Sequence, residues 1–329
     1  MFDSQPFTHK FVRLGEFRYH YVEEGPQGGE PLLLVHGFPD LWYGWRHQIR
    51  FLAQRGYRVY AIDTLGYGQS DSPAAVEHYA LKNLASHLVA FIDHLQLDKV
   101  TLLGHDCVST PYLPLNTTHD THEKIVAETP EFAYQLKFAE QATTAKMNRK
   151  PNVVLGNVAR TGRLDQQELD YYLAQYARSG FQGPLNYYRT TAFNHRDESR
   201  FAASFSSKDS RGPATTTTTT NASASASASA DAVAQAASAS TLDASLPCAH
   251  IITTRDKILT PALAHHGPRY IRKLLVREID ADHFVLSEKP DEINALLANI
   301  LEHFILPNAR SHPSSSSPST TKKPIMALL

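Results

Sequence analysis

Short apolar runs alternate with amphipathic stretches in the first third of the chain. Residues 32–35 are all apolar and lie between Pro31 and Gly37, which is typical of a buried strand. Residues 42–55 form a helix-like stretch that closes at Gly56, a residue favoured just beyond a helix C-terminus. The same alternation predicts strands over residues 57–62 and 100–103 and a helix over residues 81–95.

The alternation returns closer to the C-terminus. There it predicts strands over residues 249–253 and 274–279 and helices over residues 261–272 and 292–304. Because strands alternate with helices, we predict an α/β fold with a mostly parallel sheet flanked by helices. In such sheets, ligands bind beyond the carboxyl ends of the strands.

Composition divides the chain into five segments. Two of them carry the strand and helix pattern, a third is rich in polar and aromatic residues and is predicted to be helical, and two are low in complexity. The Thr run and Ala-Ser repeat of residues 206–245 cannot build a packed core, and residues 307–329 are rich in Ser and Pro, so we expect both segments to be disordered. The segments are the N-terminal core (1–115), the helical segment (116–205), the insertion (206–245), the C-terminal core (246–306) and the tail (307–329).

Charge and cysteine content narrow the possible partners. The 329 residues carry a formal net charge of −1, so electrostatics give no reason to expect nucleic acid or an anionic membrane as partner. The two cysteines, Cys107 and Cys248, are far apart and form neither a disulfide framework nor a metal-binding CxxC pattern. No apolar run reaches ~18 residues and the N-terminus lacks a secretory signal. We therefore expect a cytoplasmic protein without a membrane span.

Three residues that can carry chemistry follow predicted strands. Asp106 ends the run Gly104-His105-Asp106 after one strand, and Asp256 and His283 follow two others. Alone, such an Asp is usually a turn or helix-cap residue, and a lone His usually a hydrogen-bonding residue. The order nucleophile, acid, histidine is that of a hydrolase triad on this kind of sheet. The spacing therefore predicts Asp106 as a carboxylate nucleophile.

A glycine turn follows the first apolar run of this pattern. Gly37 permits a tight turn after residues 32–35, and the backbone N–H of Phe38 would then point into the cleft. An N–H in that place can stabilise an oxyanion. The alternative is an ordinary glycine-proline turn.

Distinctive motifs occur along the chain at residues 36–40, 42–48, 66–70, 104–106, 132–135, 184–189, 253–256 and 282–284. In these motifs the chain resembles the epoxide hydrolases of the α/β-hydrolase fold. The resemblance covers nearly everything except the insertion and the tail. It implies an α/β-hydrolase fold in which residues 116–205 form a helical cap.

The resemblance implies a specific reaction. Asp106 would attack an epoxide carbon to form a covalent ester, while Tyr134 and Tyr188 would donate to the epoxide oxygen. His283, oriented by the acid Asp256, would then activate water to release a vicinal diol. Without the resemblance, each tyrosine would more often be a packing residue.

The remaining implications concern the oxyanion hole, the substrate and the partners. No metal or organic cofactor is required, the substrate is a small-molecule epoxide, and a monomer or a homodimer would suffice. The oxyanion hole would use the N–H groups of Phe38 and Cys107, and the substrate-binding residues would include His36, Trp42 and Phe284.

The chain departs from the family pattern directly after Asp106. The family continues with Trp-Gly-Gly, a helix and a further strand, whereas here Cys107 and Val108 lead at once into a Thr-Pro turn. A segment of about 20 to 25 residues, one helix and one strand, is therefore missing. Val108 is β-branched where a glycine belongs, which makes the turn costly. A skipped coding segment or divergence of the protein would explain this; we favour the first because both flanks still match.

Two other functions remain open. A haloalkane or haloacid dehalogenase would use the same Asp nucleophile, but the two cap tyrosines favour an epoxide. An inactive hydrolase-like protein would follow from the missing segment. The final residues Ala327-Leu328-Leu329 are not a peroxisomal Ser-Lys-Leu signal.

Overall fold

A single eight-stranded sheet lies at the centre of the molecule. The computed structural model describes residues 6–106, 119–206, 246–264, 271, 273–310 and 325–328. The strands are β1 (His9–Leu14), β2 (Phe17–Glu24), β3 (Pro31–Val35), β4 (Arg58–Ile62), β5 (Thr101–Gly104), β6 (Cys248–Thr253), β7 (Leu274–Ile279) and β8 (Ile325–Leu328). They are ordered β1-β2-β4-β3-β5-β8-β6-β7 across the sheet.

Most of the sheet is parallel, as predicted. The strands from β4 to β7 in this order run parallel to their neighbours, whereas β1 pairs antiparallel with β2 and β2 antiparallel with β4. The pattern identified β3 to β7 within a residue or two of their ends. It did not identify the antiparallel hairpin of β1 and β2.

Helices cover both faces of the sheet. Between β5 and β6, every regular element in the described residues is helical. The helices of eight or more residues are α1 (Arg46–Gln54), α2 (Leu81–His94), α5 (Gln141–Arg149), α6 (Pro151–Thr161), α7 (Gln166–Ser179), α9 (Thr191–Ser206) and α12 (Pro290–Ile300). The shorter ones are α3 (His122–Glu128), α4 (Ala133–Ala139), α8 (Gln182–Asn186), α10 (Pro261–Ala264), α11 (Val285–Glu288) and α13 (Leu306–Arg310).

The run of apolar residues in β3 serves both faces. Leu32 and Leu34 belong to a core cluster with residues of α1 and α12, whereas Leu33 and Val35 belong to a second cluster with Phe91 of α2. Because successive side chains of a strand point to opposite faces, a strand covered on both sides must be apolar at every position. This explains why β3 shows a continuous apolar run rather than alternation.

The tail differs from its expected disorder. Helix α13 extends to Arg310, and β8 lies between β5 and β6, parallel to both. Without the strand predicted to be missing after Asp106, one edge of β5 would have unpaired backbone groups. The short apolar run of residues 325–328 suits a buried parallel strand and occupies that position.

Two predicted helices have different boundaries in the structure. Residues 42–55 begin with a 3₁₀ turn, Trp42–Trp45, before α1, and residues 292–304 are split between α12 and a π-helical turn, Leu301–Ile305. Of the helix predicted over residues 261–272, residues 261–264 form α10. Residues 265–270 and residue 272 lie outside the described ranges. The insertion from residue 207 to 245 also lies outside them. Within those ranges, no helix has the length and apolar character needed to cross a bilayer.

Candidate active site

Asp106 lies immediately beyond β5 in a turn with unusual backbone geometry. Its φ angle is +64°, and its side chain is buried. Few residues other than glycine adopt this left-handed conformation, which is found where a sharp turn holds a side chain at a functional site. Gly37 leaves room for it, because a Cβ atom at Gly37 would lie 2.3 Å from Oδ2 of Asp106.

His283 lies between Asp106 and Asp256. Its Nδ1 atom is 2.8 Å from Oδ2 of Asp256, and its Nε2 atom is 3.6 Å from Oδ1 of Asp106. The other oxygen of Asp256 accepts the backbone N–H groups of Ile258 and Leu259 at 2.7 and 3.0 Å. These bonds fix the carboxylate of Asp256, which in turn fixes the histidine ring with Nε2 toward Asp106. The structure thus brings together three residues predicted to form a triad.

The charges in this group depend on one another. Burial opposes the charged form of His283, but the hydrogen bond with Asp256 and the negative charge of Asp106 outweigh it and raise the pKa of His283 to about 9. Burial would raise the pKa of Asp256, yet its hydrogen bond to His283 and the two backbone N–H groups hold it below its usual value. This rise in pKa favours the imidazolium form of His283 at neutral pH.

A backbone donor contacts the nucleophile candidate. The N–H of Phe38 donates to Oδ2 of Asp106 at 2.8 Å. The other oxygen of this carboxylate, Oδ1, is 3.6 Å from Nε2 of His283. Cys107, the second predicted donor, lies outside the described residues.

The predicted tyrosine pair lies in an aromatic cluster with Phe38 and Phe138. Tyr134 comes from α4, and Tyr188 from the 3₁₀ turn Tyr187–Arg189. The two phenol rings are 6.3 Å apart between centroids, and Phe138 lies 5.5 and 5.1 Å from them. The Phe38 ring is 5.8 Å from Tyr188, so the cluster adjoins the residue whose N–H contacts Asp106.

Several known proteins resemble this chain in sequence. A family model described as the alpha/beta hydrolase fold matches residues 30–110. Over 91% of this chain, the sequence is 27% identical to "Bifunctional epoxide hydrolase 2" of Sus scrofa, covering 56% of that protein. It is 25% identical, again over 91% of this chain, to an epoxide hydrolase of Neurospora crassa, of which it covers 96%. The chain is thus similar in sequence to epoxide hydrolases over most of its length.

Solved structures show the same fold. An epoxide hydrolase of Vigna radiata superposes with a TM-score of 0.68 and 22% identity, over 90% of this chain and 97% of that one. The chain has the α/β-hydrolase fold. It spans about half the length of the mammalian relatives it matches, 56% of the pig protein and 53% of the mouse protein.

Two residues predicted to bind substrate have structural contacts. His36 is buried, with Nδ1 donating to the carbonyl of Gly37 at 2.9 Å and Nε2 accepting the N–H of Thr64 at 3.1 Å. Trp42 donates its indole N–H to the hydroxyl of Tyr171 at 2.9 Å. Both sets of contacts hold loops and helices in place, and a part in substrate binding stays a prediction.

Phe284, the third of these residues, packs beside the triad. Its ring lies 4.9 Å from that of His283, in an edge-to-face arrangement. His105, next to the nucleophile candidate, contacts His283 too, because its Nε2 atom is 2.8 Å from the backbone oxygen of His283. Both residues therefore contact the histidine and help to fix its position.

Sequence reasoning missed two contributors to the site. Phe138 could have been found, because it lies one helical turn beyond Tyr134 and so shares its face of α4. Tyr172 could not: its hydroxyl donates to Oδ1 of Asp40 at 2.5 Å from a helix that is distant in sequence. This bond fastens α7 to the loop that carries Phe38.

Proposed function

We propose that this chain hydrolyses small-molecule epoxides to vicinal diols through a covalent ester on Asp106. One observation carries the proposal: the Asp106 carboxylate accepts the N–H of Phe38 and faces Nε2 of His283, with the two phenols in the adjoining aromatic cluster. The chemistry follows in two steps. Every residue it uses comes from one chain, so a monomer and a homodimer serve equally well.

The first step opens the epoxide. Oδ1 of Asp106 attacks a ring carbon, and the bond from that carbon to the ring oxygen breaks. The oxygen takes up a proton from Tyr134 or Tyr188, which hold it by hydrogen bonds as its negative charge develops. An ester between Asp106 and the substrate results, with a hydroxyl on the neighbouring carbon.

The second step hydrolyses the ester. His283 removes a proton from a water molecule, and the oxygen of that water attacks the ester carbonyl carbon. The negative charge on the carbonyl oxygen rests on the N–H of Phe38, which already contacts Oδ2. The bond between the carbonyl carbon and the ester oxygen then breaks, and the departing diol oxygen takes the proton from His283. The second proton of the attacking water returns to the tyrosinate, which restores the tyrosine and leaves Asp106 as a carboxylate with one oxygen from water.

Single turnover of styrene oxide in H₂¹⁸O tests this sequence. We expect one ¹⁸O atom in the peptide that contains Asp106, and no label in the Asp106→Ala variant. In His283→Gln, where the base is lost, the ester should accumulate, and turnover should fall by ~10³-fold. Turnover that survives in Asp106→Ala would refute the nucleophile, whereas a folded wild-type chain without any ester would support the inactive alternative.

Measuring halide release beside epoxide turnover distinguishes the dehalogenase alternative from the proposed function. A haloalkane needs groups that stabilise a departing halide, whereas phenols such as Tyr134 and Tyr188 suit a developing alkoxide. Halide release from 1-chlorobutane together with no styrene oxide turnover would favour the dehalogenase. We expect the reverse result.

A further inference from the structure

The two phenols of the site belong to different elements of the helical segment. Tyr134 lies in α4, whereas Tyr188 lies in the 3₁₀ turn Tyr187–Arg189. For both hydroxyls to face one epoxide oxygen, these two elements must keep a fixed spacing. A misplacement of about 1 Å can cost a hundredfold in rate.

The turn that carries Tyr188 is anchored to the sheet domain. The hydroxyl of Tyr187 donates to the carbonyl of Leu65 at 2.9 Å, and the side chain of Asn186, which is fully buried, donates to the carbonyl of Ala74 at 3.1 Å. Both acceptors lie in the loop between β4 and α2. Tyr188 therefore has a fixed position relative to the sheet.

The helix that carries Tyr134 has little support of its own. Helix α4 has seven residues, none of them fully buried, and its N-terminus has no side-chain cap. So short a helix is not stable alone, and its last carbonyl groups have no partner within the helix. Its position must be set by contacts from outside.

Arg189 supplies such a contact at the C-terminus of α4. Its Nε atom donates to the carbonyl of Ala139 at 2.9 Å, and Nη2 donates to the carbonyl of Glu140 at 3.0 Å and to Oγ1 of Thr144 at 2.8 Å. A cation is favoured at a helix C-terminus, and the planar guanidinium fixes direction as well as distance. Nη1 meanwhile donates to Oδ1 of Asn186 at 2.9 Å.

These four hydrogen bonds connect the turn of Tyr188 to the C-terminus of α4 and to its neighbours. Within the described residues, all of them go to neutral oxygens: the carbonyl groups of Ala139 and Glu140 at the end of α4, Thr144 of α5, and Asn186 directly before the turn. Arg189 directly follows Tyr188 in sequence. The guanidinium therefore holds the helix of Tyr134 in a fixed position relative to the Tyr188 turn.

We propose that Arg189 is a positioning residue that sets the spacing of Tyr134 and Tyr188 by holding the C-terminus of α4 to the Tyr188 turn. The functional part of this inference rests on the proposed epoxide hydrolysis. Because the phenols act in ring opening alone, loss of Arg189 slows ester formation and leaves ester hydrolysis by His283 unchanged.

Hydrogen exchange tests the structural part without reference to activity. In Arg189→Met, amides of residues 133–140 should exchange about tenfold faster, while Arg189→Lys, which keeps a single donor, should show a smaller rise. Arg178→Met is the matched control, because Arg178 also donates from a helix of this segment to a backbone carbonyl, that of Gly68 at 3.0 Å. That control should leave residues 133–140 unchanged.

Single-turnover kinetics test the functional part. Ester formation should fall ~10- to 100-fold in Arg189→Met and recover in part in Arg189→Lys. In a Tyr134→Phe background, the same Arg189→Met change should alter ester formation by less than about twofold, because its effect passes through Tyr134. An unchanged rate of ester hydrolysis shows that the variants are folded.

The outcomes distinguish failure of the positioning role of Arg189 from failure of the proposed function. Unchanged exchange of residues 133–140 in Arg189→Met would overturn the positioning role, as would an equal loss of ester formation in the wild-type and Tyr134→Phe backgrounds. If the wild-type chain forms no ester, the proposed function fails, and the exchange measurement alone decides the role of Arg189.

Discussion

At the residue scale, the charge of His283 depends on whether Asp106 is free or esterified. Burial disfavours the imidazolium, but Asp256 and Asp106 together raise the pKa of His283 to about 9. Ester formation would remove the charge of Asp106 and with it one of the causes of this rise. The pKa of His283 must then fall, so the residue becomes a base at the step that requires one.

We therefore predict a lower His283 pKa in Asp106→Asn, which removes the charge and keeps the shape. The expected decrease is about 1 to 3 units, followed by NMR titration of the imidazole Cε1–H. Asp291→Asn, a substitution at the exposed start of α12, should leave the His283 titration unchanged. An unaltered titration in Asp106→Asn would contradict the coupling.

The sequence could predict that Asp106, Asp256 and His283 lie close together, but not all the contacts that hold the site in place. Asp106, Asp256 and His283 each follow a strand, and parallel strands bring such positions to one edge of the sheet. The bond from Tyr172 to Asp40 joins residues that are remote in sequence, and no local pattern predicts that approach. The packing of the helical segment against the sheet domain brings Tyr172 and Asp40 together.

At the scale of elements, α7 fastens the helical segment to the sheet domain. Its N-terminus has a capping box formed by Asp165 and Glu168, and Glu168 also accepts the Nε donor of Arg46 at 2.7 Å. The Arg46 and Glu168 side chains are only 8% and 14% exposed. Removing one partner of so buried a pair leaves the other charge uncompensated.

Glu168→Gln should consequently lower the free energy of unfolding by about 3 kcal/mol, since it keeps the hydrogen-bonding side chain of the capping box and loses the ion pair. Urea unfolding measures this change. The surface pair of Lys289 and Glu292 provides the comparison: Glu292→Gln should change stability by less than about 1 kcal/mol. Equal effects of the two substitutions would show that burial of the Arg46 pair is unimportant.

Element types followed from the sequence better than element boundaries did. The apolar run of β3 required cover on both faces, and α1 and α2 provide it. The helix predicted from residue 42 starts instead as a 3₁₀ turn, Trp42–Trp45, where a Cβ at Gly44 would lie 2.1 Å from a carboxylate oxygen of Asp40. The N–H of Trp42 also donates to Oδ1 of Asp63 at 3.0 Å, and such a tertiary contact overrides local helix propensity.

At the scale of the whole molecule, β8 completes the sheet beside the strand that leads to Asp106. Residues 101–104 of β5 pair with residues 325–328, and β8 also meets β6 at His250. The sequence indicated a missing strand but not its replacement, because the replacement comes from a tail whose composition suggested disorder. The substitute strand joins the β5 and β6 halves of the sheet.

Breaking the ladder of β8 should therefore destabilise the whole sheet. Ala327→Pro removes a backbone donor within the strand and should lower the free energy of unfolding by about 2 to 3 kcal/mol. Ala327→Val keeps the N–H and favours the strand conformation, and it serves as the control. Equal unfolding midpoints in urea for the proline variant and the unaltered chain would show that the sheet does not need β8.

The late position of β8 also has a consequence for biosynthesis. The ribosome makes β5 before the helical segment, β6 and β7, and it makes β8 only after all of these. Until then, β5 presents an open edge to other nascent chains, and pairing so remote in sequence is slow. The yield of native protein should thus depend on chaperone capacity and growth temperature more steeply than that of a relative whose neighbouring strand follows β5 directly.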